Sequence, residues 1–331
     1  MKGKILFSIA ISALVALAFT TSVVAQQVPE ANSPPGVTGS LTIHWYDQTV
    51  YGNVFVAEKG GHTTAALINW TLNVNVLSGV TVRDAYLYLS FDNLENGDRS
   101  VEFNGNTLGD PSQHPYLIGT AGPFCTARFD VKNYVIAPGI NTVIVTQTSV
   151  HTSSVYGAAL VVIYEWPSGY VGAPNVRIII NDGCMWVAGN GGPQWGTTDF
   201  LVAYTDDIMW AHFTTMVQAG ENYLADSVVF NTHNFTGISP WGDYFYGNCG
   251  YLWDVHKEDI KTSWPPWLPL SPPTRVWFRS YASGAIPADG YIVDFAILDI
   301  AYRWWPVGGT AFPSNKLALL APYIILAALI A

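Results

Sequence analysis

Charged residues are scarce in this chain of 331 residues: Asp, Glu, Lys and Arg together make up 11% of it. With 14 Lys and Arg against 24 Asp and Glu, the formal net charge at pH 7 is −10. The chain therefore lacks the basic footprint that nucleic-acid binding requires, and we expect no nucleic acid among its partners. Aromatic residues, at 14%, are too frequent for a disordered chain and indicate a large buried core.

Cysteine is rare as well, with Cys125, Cys184 and Cys249 as the only three. None belongs to a Cys-x-x-Cys pair, so the spacing supports neither a structural zinc site nor thioredoxin-like chemistry. In an exported protein, three cysteines predict one disulfide and one free thiol. The spacing does not say which pair is bonded.

Catalytic and metal-binding motifs are missing too. The seven histidines show no metal-ligand spacing, and neither a Gly-x-Ser-x-Gly elbow nor a Ser-x-x-Lys pair is present. We therefore predict no cofactor, no metal and no catalytic residue. Asp92, Glu95 and Asp98 crowd oxygen ligands as a calcium loop would, but without EF-hand spacing, so a solvated turn is favoured. Glycoside hydrolysis by Asp206 and Asp207 is the nearest enzymatic alternative.

Both ends of the chain are apolar. Residues 1–25 have the order of a secretory signal peptide, in which a basic start precedes the apolar run Ile5–Phe19 and a small-residue cleavage pattern. A retained anchor and a prepilin-like signal are the alternatives. A short linker (26–37) follows this segment. Cleavage of the signal peptide removes Lys2 and Lys4 and leaves 12 basic and 24 acidic residues.

The last fifteen residues, Leu317–Ala331, are uncharged and follow a Pro/Gly-broken linker (306–316). As a helix they cover about 22 Å, against ~30 Å for the hydrocarbon core of a bilayer. Trp304 and Trp305 suit a membrane interface. We expect a C-terminal membrane segment that holds the protein on the extracellular face of the cell membrane, with a buried core element as the alternative.

Between the ends, short strand-like runs alternate with turn-forming pairs, and helical periodicity is nearly absent. Asn104-Gly105, Pro138-Gly139 and Asp289-Gly290 are good turn formers. Continuous apolar runs such as Ala158–Tyr164 are expected for strands buried on both faces. This pattern predicts an all-β protein built from antiparallel β-sandwiches.

The chain also repeats itself. Three blocks recur in the same order: Val101–Asn104 and Val228–Asn231, then Phe129–Val131 and Trp253–Val255, then Leu160–Tyr164 and Leu298–Tyr302. The repeat predicts two tandem jelly-roll-like sandwiches of ordinary domain size, 38–170 and 171–305.

One motif of the first half carries a family resemblance. Ser100–Gly105 predicts a strand entering a hairpin, and Asp130 caps a helical turn. Asn141, after Pro138-Gly139, bonds its own turn. These blocks resemble jelly rolls of the galactose-binding-like class, and the wider layout over roughly 80–303 resembles an archaeal cell-surface family, the domain of unknown function 3344.

That resemblance implies a surface location and a β-sandwich fold, but no activity. The second half departs from the pattern, because Thr232 stands where the hairpin glycine is expected and no Pro-Gly-x-Asn follows Asp254. The resemblance therefore implies no ligand site on the corresponding loops of the second half.

Ligand contacts and modification sites are predicted from local sequence. Trp264 and Trp267 lie in a proline-dense loop, where exposed indoles would stack on sugars. Asn69 and Asn234 begin Asn-x-Thr triplets and are candidates for N-glycosylation.

The function expected from the sequence is that of a non-enzymatic, envelope-anchored protein with a structural or adhesive role at the cell surface. One alternative is a carbohydrate-binding module. Another is a subunit of a filament or surface lattice that self-associates through sheet edges. The predicted partners are the membrane, through the C-terminal tail, and surface glycans or further copies of the chain.

Overall fold

The computed structural model of the chain describes residues 37–92, 99–148, 154–167, 170, 173–187, 194–218, 226–236, 253–260, 262, 266–280 and 290–303. All of them belong to one compact unit, Pro35–Ala331. None of these residues is helical, which confirms the all-β prediction for this part of the chain. Within the same ranges, no helix has the length and apolar character that a membrane crossing needs. The predicted signal peptide and C-terminal segment lie outside them.

Eighteen strands are formed by the described residues. In chain order they are β1 (Val37–Val50), β2 (Gly52–Thr63), β3 (Leu67–Val74), β4 (Thr81–Asp92), β5 (Arg99–Phe103), β6 (Asn106–Gly109), β7 (Leu117–Ala121), β8 (Phe124–Asp130), β9 (Gly139–Gln147), β10 (Val155–Glu165), β11 (Asn175–Val187), β12 (Gln194–Phe200), β13 (Ile208–Gln218), β14 (Asp226–Phe230), β15 (His233–Thr236), β16 (Trp253–Ile260), β17 (Thr274–Ser280) and β18 (Tyr291–Tyr302).

The strands pair into four antiparallel sheets. The first inner sheet has the order β2-β10-β4-β8-β7, and the first outer sheet the order β3-β9-β5-β6. The second inner sheet has the order β1-β11-β18-β13-β16, and the second outer sheet the order β12-β17-β14-β15. Without β1 and β7, each half has eight strands in one common order, in which the first strand lies beside the last. This is the strand order of a jelly roll.

The first and third repeated blocks fall on equivalent strands of the two halves, β5 with β14 and β10 with β18. The second block does not match in register, because Phe129 lies at the end of β8 whereas Trp253 begins β16. At the end of the first pair, Asn104 and Asn231 both adopt positive φ, 50° and 53°. Asn104 Oδ1 accepts a hydrogen bond from Thr142 N–H at 2.7 Å, and Asn231 Oδ1 accepts one from Arg275 N–H at 2.9 Å. Asparagine recurs here because its amide tolerates this backbone angle and also fixes the neighbouring strand.

Three hydrophobic clusters separate four layers. One lies between the first inner and outer sheets, another between the second inner and outer sheets, and a third between the two inner sheets. An inner strand is therefore covered on both faces, and ten of the eleven β10 residues are buried. Outer strands have one free face, so β3 strictly alternates exposed and buried positions. The continuous apolar runs of the sequence have this cause.

Strand β1 departs from the predicted domain boundary. The sequence placed it in the first sandwich, but it pairs with β11 at the edge of the second inner sheet. Its register shifts between Thr42 and Tyr46, where His44 has φ 54°. Because of this irregularity, Leu41 is buried while Ile43 is exposed, although the two alternate in sequence as if they shared one face.

The two sandwiches are joined by a tryptophan that inserts between the inner sheets. Trp253, at the start of β16, is fully buried in the cluster between them. Gly60 and Gly157, paired across β2 and β10, lie beneath its ring. A Cβ built at either glycine would lie within 3.0 Å of three Trp253 side-chain atoms. The glycine pair thus forms a pit that the indole fills.

Candidate functional site

Trp267 is a packed side chain in the structure. Its ring stacks on His233 with centroids 3.7 Å apart and an interplanar angle of 12°, and Phe235 meets it edge-on. It packs against the core of the second sandwich, and its carbonyl accepts a hydrogen bond from Asn231 Nδ2 at 2.6 Å. The ring face on His233 is therefore closed to a sugar. Trp264 lies outside the described residues.

Asp92 is engaged in contacts within the first sandwich. Its Oδ1 accepts a hydrogen bond from Ser154 N–H, and its backbone carbonyl accepts one from Arg99 Nη2 at 2.6 Å. Glu95 and Asp98, the other two members of the predicted calcium cluster, lie outside the described residues. Within the described ranges, no three His, Cys, Asp or Glu side chains gather as a metal-ligand group.

Cys125 and Cys184 are buried, free thiols. Burial raises the pKa of Cys125 to about 12 and that of Cys184 further. Thiols with such raised pKa values are poor nucleophiles at neutral pH. Because both thiols are free, these two predicted candidates form no disulfide with each other. Cys249, the third candidate, lies outside the residues that the structure describes.

Asn69 and Asn234, the predicted glycosylation sites, are both exposed. Asn69 lies on β3 and Asn234 on β15, each the edge strand of an outer sheet. Asp206 and Asp207, the pair named for the alternative of glycoside hydrolysis, lie in a turn before β13.

A fully buried carboxyl group lies between the inner sheets. Asp294, on β18, accepts hydrogen bonds from Ser90 Oγ at 2.7 Å, from Thr126 Oγ1, and from Gln218 Nε2 at 2.9 Å. Ser90 and Thr126 belong to the first inner sheet, Asp294 and Gln218 to the second. Burial raises the pKa of Asp294 to about 7, although all three hydrogen bonds favour the ionised form. This cluster ties the sandwiches together.

A second carboxylate makes a similar link. Asp182 on β11 pairs with Arg128 of β8 and accepts a hydrogen bond from Tyr88 OH at 2.8 Å. The Arg128 guanidinium also lies over the Trp45 ring, 3.3 Å from its centroid. Burial raises the pKa of Asp182, and Arg128 opposes that rise. The buried charge is therefore compensated from the opposite sandwich.

A third group has the residue types of acid–base chemistry. His212 Nδ1 lies 2.8 Å from Asp299 Oδ2, and His212 Nε2 lies 3.2 Å from Asp259 Oδ1. The three residues sit side by side on β18, β13 and β16. Both ring nitrogens face carboxylates, Asp299 being buried and Asp259 exposed at the surface.

The outward side of the second outer sheet carries aromatic and charged side chains that could bind a ligand. Five of its side chains form what we call the tryptophan face: Trp195, Asp199, Arg275, Trp277 and Arg279. They occupy alternate positions on β12 and β17, whose intervening residues Phe200, Val276 and Phe278 enter the core. None of these five residues was predicted from the sequence to bind a ligand. The alternation of Arg275–Arg279 was the available signal, but it does not say which side of the strand meets solvent.

The sequence profile of a family described as "Protein of unknown function (DUF3344)" matches residues 38–263. The chain belongs to this family. No curated protein matches it. The DUF3344 match covers both sandwiches as far as β16 and assigns no activity to any residue named above.

Solved structures with some likeness to this DUF3344 protein include PNGase F, a glycosylasparaginase from Flavobacterium meningosepticum. It is 10% identical, with a TM-score of 0.23, and the match covers 78% of this chain and 98% of that one. The major capsid protein P2 of bacteriophage PM2 is 8% identical, with a TM-score of 0.20 and coverage of 78% and 100%. The plant receptor-like kinase FER is 8% identical, with a TM-score of 0.22 and coverage of 83% and 90%. At these TM-scores, none of the likenesses bears on function.

Proposed function

We propose that this DUF3344 protein is a non-enzymatic double sandwich, exported by residues 1–25 and held at the cell surface by 317–331, where it has a structural or adhesive role. The observation that carries the proposal is the use of its buried carboxylates. Asp294 and Asp182 are both buried, and each joins one sandwich to the other. Charge buried in this way fixes the relative position of two domains.

A rigid block of two sandwiches suits display better than turnover. Catalytic sites need groups free to meet a substrate, and enzymes place such groups on loops or in pockets. Here His212 has carboxylates at both ring nitrogens, and the Cys125 and Cys184 thiols are buried. The proposed location at the cell surface is inferred from the apolar sequences of the two termini.

Cell fractionation with mass spectrometry of the native protein tests this proposal. We expect the protein in the membrane fraction, with Gln26 as its first residue and residues 317–331 retained or replaced by a lipid. A mass excess on peptides that contain Asn69 or Asn234 would show glycosylation of the outer sheets. An uncleaved chain in the soluble cytosolic fraction would overturn the proposal.

A further inference from the structure

The tryptophan face combines aromatic rings with a paired donor and acceptor. Arg275 donates from Nε and Nη2 to the two carboxylate oxygens of Asp199, each at 2.7 Å. Their side chains are 45% and 18% exposed, so the ion pair is open to solvent. The Arg279 guanidinium covers the Trp195 ring at 4.1 Å from its centroid. Trp277 stands between Arg275 and Arg279 on β17, on the same side of the strand.

The fold itself does not require these residues, as the other half of the chain shows. Strand register and the repeated block match each position of the tryptophan face to one on the first outer sheet. The equivalents of Trp195, Asp199, Arg275, Trp277 and Arg279 are Leu67, Thr71, Thr142, Ile144 and Thr146. The same scaffold thus carries small polar and aliphatic side chains on one outer face, and aromatic and charged ones on the other.

A sugar chain is the ligand that this combination fits. One face of a pyranose ring presents C–H groups, which pack on an indole, while its hydroxyls both donate and accept hydrogen bonds. The Arg275–Asp199 pair offers donors and acceptors side by side, which matches neighbouring hydroxyls. Trp195 and Trp277 are diagonal neighbours on adjacent strands, and residues in this relation lie roughly 7–8 Å apart across the sheet. Arg279 covers one face of the Trp195 ring, so Trp277 is the ring on which a sugar would stack.

We propose that the tryptophan face binds polysaccharide, with Trp277 stacking on a sugar ring and the Arg275–Asp199 pair bonding its hydroxyls. The inference gives the proposed adhesive role a ligand, and it rests on that role for the exposure of the face outside the cell. It differs from the site that sequence predicted, since Trp267 lies on the core side of the same sheet.

Binding by the purified full chain tests the proposal. The chain is produced without glycans, kept in a detergent that has no sugar headgroup, and applied to an array of neutral and acidic oligosaccharides. We expect binding that falls roughly tenfold or more in Trp277→Ala and in Arg275→Ala, because each removes a central contact. Trp277→Phe, which keeps an aromatic ring, is expected to retain part of it.

Ile144→Ala is the matched control, because Ile144 occupies the equivalent position on the first outer sheet. It should bind as the unchanged chain does, and circular dichroism should show every variant folded. No binding across the array, or equal binding by folded Trp277→Ala, would overturn the proposal. The proposal would also be overturned if protein with its native glycans bound sugars only after Asn234→Gln. That result would mean that a glycan on Asn234 covers the tryptophan face in the native protein. None of these results affects the fractionation test of export and anchoring.

Discussion

The pit that holds Trp253 predicts a reversal in the effect of one substitution. Gly157→Ala places a Cβ within 3.0 Å of three atoms of the Trp253 ring, which is fully buried and cannot retreat into solvent. Forcing an extra methyl into a packed core costs about 1–3 kcal/mol. We expect the free energy of unfolding to fall by that amount.

Trp253→Ala removes the ring and should itself cost about 3–5 kcal/mol. In that background the pit is empty, so the methyl of Gly157→Ala meets no ring carbon. Alanine is also favoured over glycine within a strand by roughly 0.5–1 kcal/mol. Gly157→Ala should therefore become neutral or stabilising, with a coupling energy between the two sites of about 2 kcal/mol.

Equilibrium urea unfolding of the purified chain, followed by far-UV circular dichroism, measures all four corners of this cycle. The signal comes from the backbone, so the loss of one tryptophan does not disturb it. Phe278→Ala is the control background, because Phe278 packs in the second sandwich on the far side of the second inner sheet. There, Gly157→Ala should keep its full cost. An equal cost in the Trp253→Ala background would refute the steric account of this interface.

Two further predictions concern polar groups. The pKa of Asp294 is raised to about 7, above the ~3.9 of the same group in an unfolded chain, so folding takes up a proton between these two pH values. The contribution of Asp294 to the free energy of unfolding therefore falls as the pH rises from 4 to 7, by up to about 1.4 kcal/mol per pH unit. In thermal melts recorded from pH 4 to pH 7, Asp294→Asn should remove this dependence of stability on pH. Glu165→Gln, a change at the surface, should keep it. An identical pH dependence in the wild type and in Asp294→Asn would contradict the assignment. At the repeated hairpins, Asn104→Ala and Asn231→Ala should each cost about 2–3 kcal/mol, from an unfavourable positive φ and a lost hydrogen bond. The glycine variants should cost about 1 kcal/mol in the same melts, and equal losses for glycine and alanine would mean that the backbone angle plays no part.

Local chemistry made some site features accessible from the sequence. Asp130 Oδ1 accepts a hydrogen bond from Lys132 N–H at 3.1 Å, as a capping residue should. The side-chain amide of Asn141 closes its own turn: its Oδ1 accepts a hydrogen bond from Ile136 N–H at 2.8 Å, and its Nδ2 donates one to the Ile136 carbonyl at 2.9 Å. Both contacts join residues a few positions apart, and such contacts need no knowledge of the fold.

Contacts between distant strands were out of reach. Trp267 was expected to be exposed because prolines surround it, yet His233 covers one face of its ring. The partners of Asp294 come from positions 76, 168 and 204 residues away, so no spacing in the sequence marks them as one cluster. Trp277 and Phe278 are adjacent aromatic residues on β17, and the sequence does not show that Phe278 faces the core while Trp277 faces the other side.

The sequence by itself determined the strands, the turns and the duplication, because period-two alternation, continuous apolar runs and Gly/Pro punctuation act over short distances. Only the tertiary structure decided which sandwich β1 joins, because an edge strand can pair with any open edge that the chain can reach. It also decided that the halves pack through their inner sheets, with Trp253 in a pit made by Gly60 and Gly157. Two glycines in separate strands form a pit only once those strands lie side by side.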